Sequence, residues 1–144
     1  VGAKVTYNHA YNRYYPAAGE QTLVDGNMGG WAHGDGCWQG FIGKDCFDVT
    51  IDLGKSTKIS SVGTDFMQSS GPEIFYPSQY TVSVSEDGKN FTQVFDKKYE
   101  SSKEPILNFK TLTWKGSKTV RYIRVQAKPS SFGGWLFVDE IIVK

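Results

Sequence analysis

Two acidic spots in the chain have the right company to hold a cation. The first lies in Thr22-Leu23-Val24-Asp25-Gly26-Asn27-Met28-Gly29-Gly30-Trp31, where a carboxylate, an amide and several backbone carbonyls crowd one turn. A hard cation such as calcium takes six to eight oxygen ligands at about 2.3–2.6 Å, and this segment offers donors of that kind. The plainer alternative is an Asx turn, in which Asp25 bonds only its own backbone. The second spot is Glu140, beside Asp139 in the apolar run Phe137-Val138-Asp139-Glu140-Ile141-Ile142-Val143. A carboxylate partly buried in such a run is costly unless Arg, Lys or a metal faces it. The alternative there is an edge-strand glutamate turned to water. Cys37 and Cys46 leave three options open: a disulfide adding about 2–3 kcal/mol, two free thiols, or, least favoured, a zinc site completed by His9 and His33. No Gly-x-Ser-x-Gly, no His-Glu-x-x-His and no phosphate-cradling glycine loop is present, so the sequence carries no catalytic signature.

The elements that must position these groups are strands. Phe47, Val49, Ile51 and Leu53 alternate with Asp48, Thr50 and Asp52, the period of a half-buried strand. Residues 58–66, 80–85, 91–95, 108–114, 119–127 and 136–143 follow the same rule or form short apolar runs. Turn chemistry separates them at Leu53-Gly54-Lys55, Glu86-Asp87-Gly88-Lys89-Asn90 and Lys115-Gly116-Ser117, and Asp87-Gly88 predicts a hairpin. No segment sustains helical spacing. The expectation is an all-β antiparallel sandwich or jelly roll. Segments 25–46, 67–79 and 128–135 break the alternation and are rich in Gly, Ser, Pro and aromatics; loops held by a rigid scaffold are where function concentrates.

The totals narrow the function. The chain's 144 residues suffice for one domain with a real core. With 16 Lys and Arg against 15 Asp and Glu, the near-balance argues against nucleic acid and against a surface built for anionic lipid. No run approaches the length of a membrane span, and the opening at Val1 is expected to be a fragment boundary rather than a signal peptide. Aromatics make up 15% of residues; a sandwich core accounts for most of them, but not for those in the Gly-rich segments.

In order along the chain, "LVDGN…GGW", "FDVTIDLGKSTKISSV", "YTVSVSEDGKNFTQV", "VRYIRVQA" and "FVDEIIV" resemble the discoidin-like domain, the coagulation factor V/VIII type C family, whose bacterial members include family 32 carbohydrate-binding modules. "DGCWQGFIGKDCFDV" and "PEIFYPSQYTVSVSEDGKNF" are similar to the domain that follows the catalytic barrel in Bacteroides-type β-hexosaminidases or chitobiases. The resemblance implies an eight-stranded jelly roll (galactose-binding-domain-like), first and last strands side by side, with a structural calcium. Asp25 and Glu140 would bind that ion through side chains and Asn27 through its side chain or backbone, with carbonyls from Thr22, Gly30 and Asp139. Family members often carry Thr where Gly30 stands, and glycine offers only its carbonyl.

The resemblance also implies a shallow sugar site among the loops at the calcium end. A sugar presents apolar C–H faces and polar hydroxyl edges, so such a site needs an aromatic platform with hydrogen-bonding groups around it. The candidates are Trp31, His33, Trp38, Phe75, Tyr76, Phe132 and Trp135, with Asp35, Gln68 and Glu73 for the polar edge. Trp135, between glycines and the last strand, is the leading platform; Phe41 is read as core. The Arg and Asn of galactose binders are absent from 67–79, so the sugar stays open. The implied protein is a non-catalytic, monomeric module of a larger bacterial glycosidase, periplasmic, cell-surface or secreted, whose partners are a glycan and its parent catalytic domain. A structural domain packed on that parent, or a protein or phospholipid adhesion module, are the alternatives.

Overall fold

The computed structural model describes residues 3–8, 19–24, 39–42, 47–69, 76–99, 107–128 and 135–144. In chain order the strands are β1 (Lys4–Tyr7), β2 (Gln39–Ile42), β3 (Phe47–Ser69), β4 (Gln79–Ser85), β5 (Thr92–Lys98), β6 (Leu107–Lys128) and β7 (Trp135–Val143), with one 3-10 helix, Gly19–Val24, between β1 and β2. All pairings are antiparallel.

Two long strands organise everything else. β3 and β6 pair from Phe47 opposite Ala127 to Ser69 opposite Leu107, with register breaks between Asp52 and Thr57 and between Ile59 and Ser61. The turn chemistry at Leu53-Gly54-Lys55 therefore marks a corner within one strand rather than the end of a strand, and Lys115-Gly116-Ser117 likewise lies inside β6. Gly54 takes φ 88°, a conformation that side chains with a Cβ resist, and its N–H donates to Asp52 Oδ1 at 2.8 Å.

On either side of that corner the long pair belongs to a different layer. Its first half is flanked by β1 on β3 and by β4, then β5, on β6. Its second half is flanked by β7 and then β2 on β3. The two layers thus share their central strands, and seven continuous strands among the described residues build the sandwich that the spacing of turn residues divides more finely. β1 and β7 do not pair with each other; they occupy successive halves of β3, which corrects the expectation that first and last strands lie side by side. Both nonetheless reach the corner: Lys4 stands opposite Asp52, and the Lys144 carbonyl accepts from the N–H groups of Ser60 and Ser61 at 2.6 and 3.2 Å.

The alternation in 47–52 holds as read. Phe47, Val49 and Ile51 are buried, while Asp48, Thr50 and Asp52 are partly exposed. Between the layers runs a line of rings: Phe41 to Phe47 at 4.8 Å, Phe47 to Phe66 at 6.2 Å, Phe66 to Tyr80 at 6.1 Å and Tyr80 to Phe95 at 6.0 Å, most of them edge-on, the geometry aromatic quadrupoles favour. Phe41 is fully buried, as expected of a core residue. The Tyr80 hydroxyl, also buried, shares a 2.8 Å hydrogen bond with Thr64 Oγ1, and burial raises its ionisation well above the ordinary phenol value.

Candidate functional site

The acidic pair of β7 sits where the β3–β7 ladder slips. Thr64 lies opposite Ile141 and Phe66 opposite Val138, so Asp65 alone stands opposite both Asp139 and Glu140, a bulge that places two residues against one. Phe66, Val138 and Ile141 face the main core; by alternation Asp65 and Asp139 take the other side, with the buried Met67 and Phe137. That side is covered too. Asp65 is 5% exposed, Asp139 0% and Glu140 5%.

Three carboxyl groups in so little water cannot all stay charged without compensation. Thr111 Oγ1 donates to Asp65 Oδ1 at 3.1 Å, and the Asp139 carboxyl also acts on Asp65. Burial raises the Asp65 carboxyl above its ordinary range, and its interactions with Asp139 and Thr111 only partly offset this. Tyr76, half-buried and packed on the core, has its phenol raised by burial first and by the Asp65 charge second. Asp65 therefore links the acids of β7 to a ring of the expected ligand face. Sequence reading passed it over, because Asp in "GTDF" looks like the wet half of an alternation. The signal was the adjacent apolar pair Phe66-Met67, which no strand with one wet face needs.

Glu140 is buried, and β7 lies between β2 and β3, which overturns the alternative of an edge-strand glutamate facing water. Thr22 lies in the 3-10 helix, which packs on β7 and β1 with Leu23 and Val24 buried; the chain thus arrives beside β7 one residue before Asp25. Trp135 opens β7 opposite Ile42, and Gln68 stands opposite Asn108 near the end of β3. Asp25, Asn27, Gly30, Trp31, His33, Asp35, Cys37, Trp38, Cys46, Glu73, Phe75 and Phe132 lie outside the described residues. Among the described residues no three His, Cys, Asp or Glu side chains form a metal-holding group.

The register gathers several strand ends at one end of the sandwich: Ile42 beside Trp135, Phe47 beside Ala127, Gln79 beside Lys128 and Ser69 beside Leu107. The connections 43–46, 70–78 and 129–134 start and finish there, and two of them carry rings of the expected ligand face. No helix among the described residues is long and apolar enough to cross a membrane.

This arrangement is that of a known family. The F5/8 type C domain matches residues 4–141, and the chain belongs to that family. Its fold is shared by a Clostridium perfringens family 32 carbohydrate-binding module in complex with GalNAc-β-1,3-galactose, at TM-score 0.68 and 20% identity over 98% of this chain and 94% of that one. A chitosan-binding module of a chitosanase/glucanase from Paenibacillus sp. IK-5 superposes at TM-score 0.63 and 17% identity, covering 100% and 96%. The family 32 module of C. perfringens NanJ, in complex with galactose, does so at TM-score 0.60 and 20% identity, covering 98% and 90%. Among curated proteins none matches the chain.

Proposed function

We propose that the chain is a non-catalytic carbohydrate-binding module, whose sugar site lies at the end of the sandwich where β7 begins. The observation that carries the reading is the convergence at that end: Trp135 opens β7 there, and Tyr76, from the connection between β3 and β4, lies within electrostatic reach of Asp65. The complexes with GalNAc-β-1,3-galactose and galactose formed by modules of the same fold support it. Trp31, His33, Trp38, Phe75 and Phe132 would complete the ring-bearing rim, with Gln68 and Glu73 on its polar edge. A structural calcium belongs to the same proposal. Asp25, Asn27 and Glu140 would hold it, with the carbonyls of Thr22, Gly30 and Asp139, and the buried acid of Glu140 suits a positive partner. When bound, the ion would tie the segment after the 3-10 helix to β7 and stiffen it. In this reading the module would hold an attached glycosidase, of the β-hexosaminidase or chitobiase kind, on its glycan outside the cytoplasm.

Isothermal titration with galactosides and N-acetylhexosamines, run with calcium and with a chelator, tests this. Weak binding is expected, since an open site buries little of its ligand, and both Trp135→Ala and the chelator should weaken it at least tenfold. Silence across those sugars, or binding untouched by Trp135→Ala, would remove the reading.

A further inference from the structure

The outer side of the first layer carries a second candidate site, which runs along the sheet face and reaches the loop end at Gln79 and Lys128. Across the strands, one row of residues runs Asp48, Gln126, Thr81, Asp96 and the next runs Thr50, Arg124, Ser83, Gln93. This polar carpet is not flat. A hollow of about 380 Å³ has Asp48, Thr81 and Gln126 along it, with Gln79, Gln93 and Lys128 around them. A second, of about 450 Å³, takes in Asn8, Thr50, Arg124, Lys89 and Phe91 and also reaches Asp48. Asp48 lines both, so the two hollows lie side by side along one groove of the sheet face, each the size of a ligand site.

The hairpin turn between β4 and β5 forms the far wall. Asp87 Oδ1 accepts from the N–H groups of Lys89 and Asn90, both at 2.9 Å, which fixes the turn. Gly88, at φ 76°, lies so close over the Tyr122 ring that a Cβ would meet it at 3.2 Å. A glycine there lets the turn sit down beside the sheet.

Charge selects the occupant. Arg124 grips Asp48 through Nε at 2.9 Å and Nη2 at 2.7 Å, so the centre of the groove is neutralised. Lys89 and Lys128 are exposed, and neither is in a salt bridge among the described residues. They stand towards opposite ends, with Lys128 about 13 Å along β6 from Arg124 at a strand rise of about 3.3 Å per residue. Between them, besides the Asp48–Arg124 pair, lie the amides and hydroxyls of Gln79, Thr81, Gln93 and Gln126, the partners of a polyol; Gln79 Nε2 and Thr81 Oγ1 also donate to Asp96 Oδ1 at 2.6 and 3.3 Å, and Gln126 Nε2 to Asp48 Oδ2 at 3.4 Å. Two lysines do not make the basic stripe that nucleic acid demands. We infer that this groove binds an extended, uronic-acid-bearing polysaccharide, with ring hydroxyls on Gln79, Thr81, Gln93 and Gln126 and carboxylates at Lys89 and Lys128.

Nitrogen-15 NMR titration with an α-1,4-linked galacturonic acid tetramer tests the assignment, alongside the neutral galactose tetramer. The backbone amides of Thr81, Lys89, Arg124 and Gln126 should shift, and the Lys89→Ala/Lys128→Ala double variant, changed only at exposed positions, should bind at least tenfold more weakly. Trp135→Ala, which strikes the loop end, should leave these shifts unchanged, so the two sites fail separately. Shifts absent from the groove, binding equal for the neutral tetramer, or affinity unaffected by the double variant would each overturn it.

Discussion

The two layers of the sandwich treat their aspartates in opposite ways. On the first, Asp48 and Asp52 face outward and are each held by an arginine: Arg124 for Asp48 at 2.7 Å, Arg121 for Asp52 at 2.9 Å. On the second, Asp65 and Asp139 are buried, and Asp65 takes its hydrogen bond from the neutral hydroxyl of Thr111. The consequences differ in sign. The Arg121 hydrogen bond, followed by that from the Gly54 N–H, holds the Asp52 carboxyl below its ordinary 3.8, whereas burial lifts Asp65 above the same 3.8. What separates them is not residue type or strand position but what lies over the face: water and a guanidinium on one side, protein on the other.

The largest effect should come from cutting the link between the layers. Phe47 belongs to the first but its ring meets Phe41 and Phe66 of the second, so Phe47→Ala should cost about 3–5 kcal/mol in chemical denaturation; a loss near 1 kcal/mol would mean that the layers are held together elsewhere.

The buried acids come next. Because the folded state raises the value of Asp65, the folded chain keeps a proton that the unfolded chain releases. Its contribution is therefore full below pH 3.8 and is lost as pH rises through the raised value. Measured in chelator, Asp65→Asn should flatten that decline. Asp52 works the other way: its stabilisation is present above 3.8 and fades on acidification, so Asp52→Asn should flatten the acid limb instead. Parallel pH profiles for the two variants would erase the contrast between the layers. Smallest of all, Asp48→Ala should cost about 1 kcal/mol, the upper end of the range for exposed ion pairs, since the Asp48 side chain is only 16% exposed, and added salt should shrink it.

Much of this was legible beforehand. The alternation of "FDVTIDL" correctly sorted Phe47, Val49 and Ile51 from Asp48, Thr50 and Asp52, and Asp87-Gly88 did turn the β4–β5 hairpin. Gly54 and Gly116 look like strand ends in the sequence because turn chemistry is local, whereas whether a chain reverses or only bends depends on the partner strand running alongside. Glu140 stood out as an acid in apolar company and is buried. Asp65 did not, since the protein that covers its face comes from distant sequence. The loop residues of the expected ligand face lie mostly outside the described set, and Tyr76, the one ring of that face whose side chain is described, is half-buried beside Asp65 rather than wholly free in water.

One consequence follows from the corner in β3. Lys4 and Lys144 both leave the fold there, whereas Trp135, Lys128 and Gln79 mark the opposite pole. Anything tethered through either flank would hang from one pole of the sandwich and leave the other facing outward. A pull along that axis would travel through β3, the strand to which both the first and the last strand are laced, without passing through the ring-bearing end.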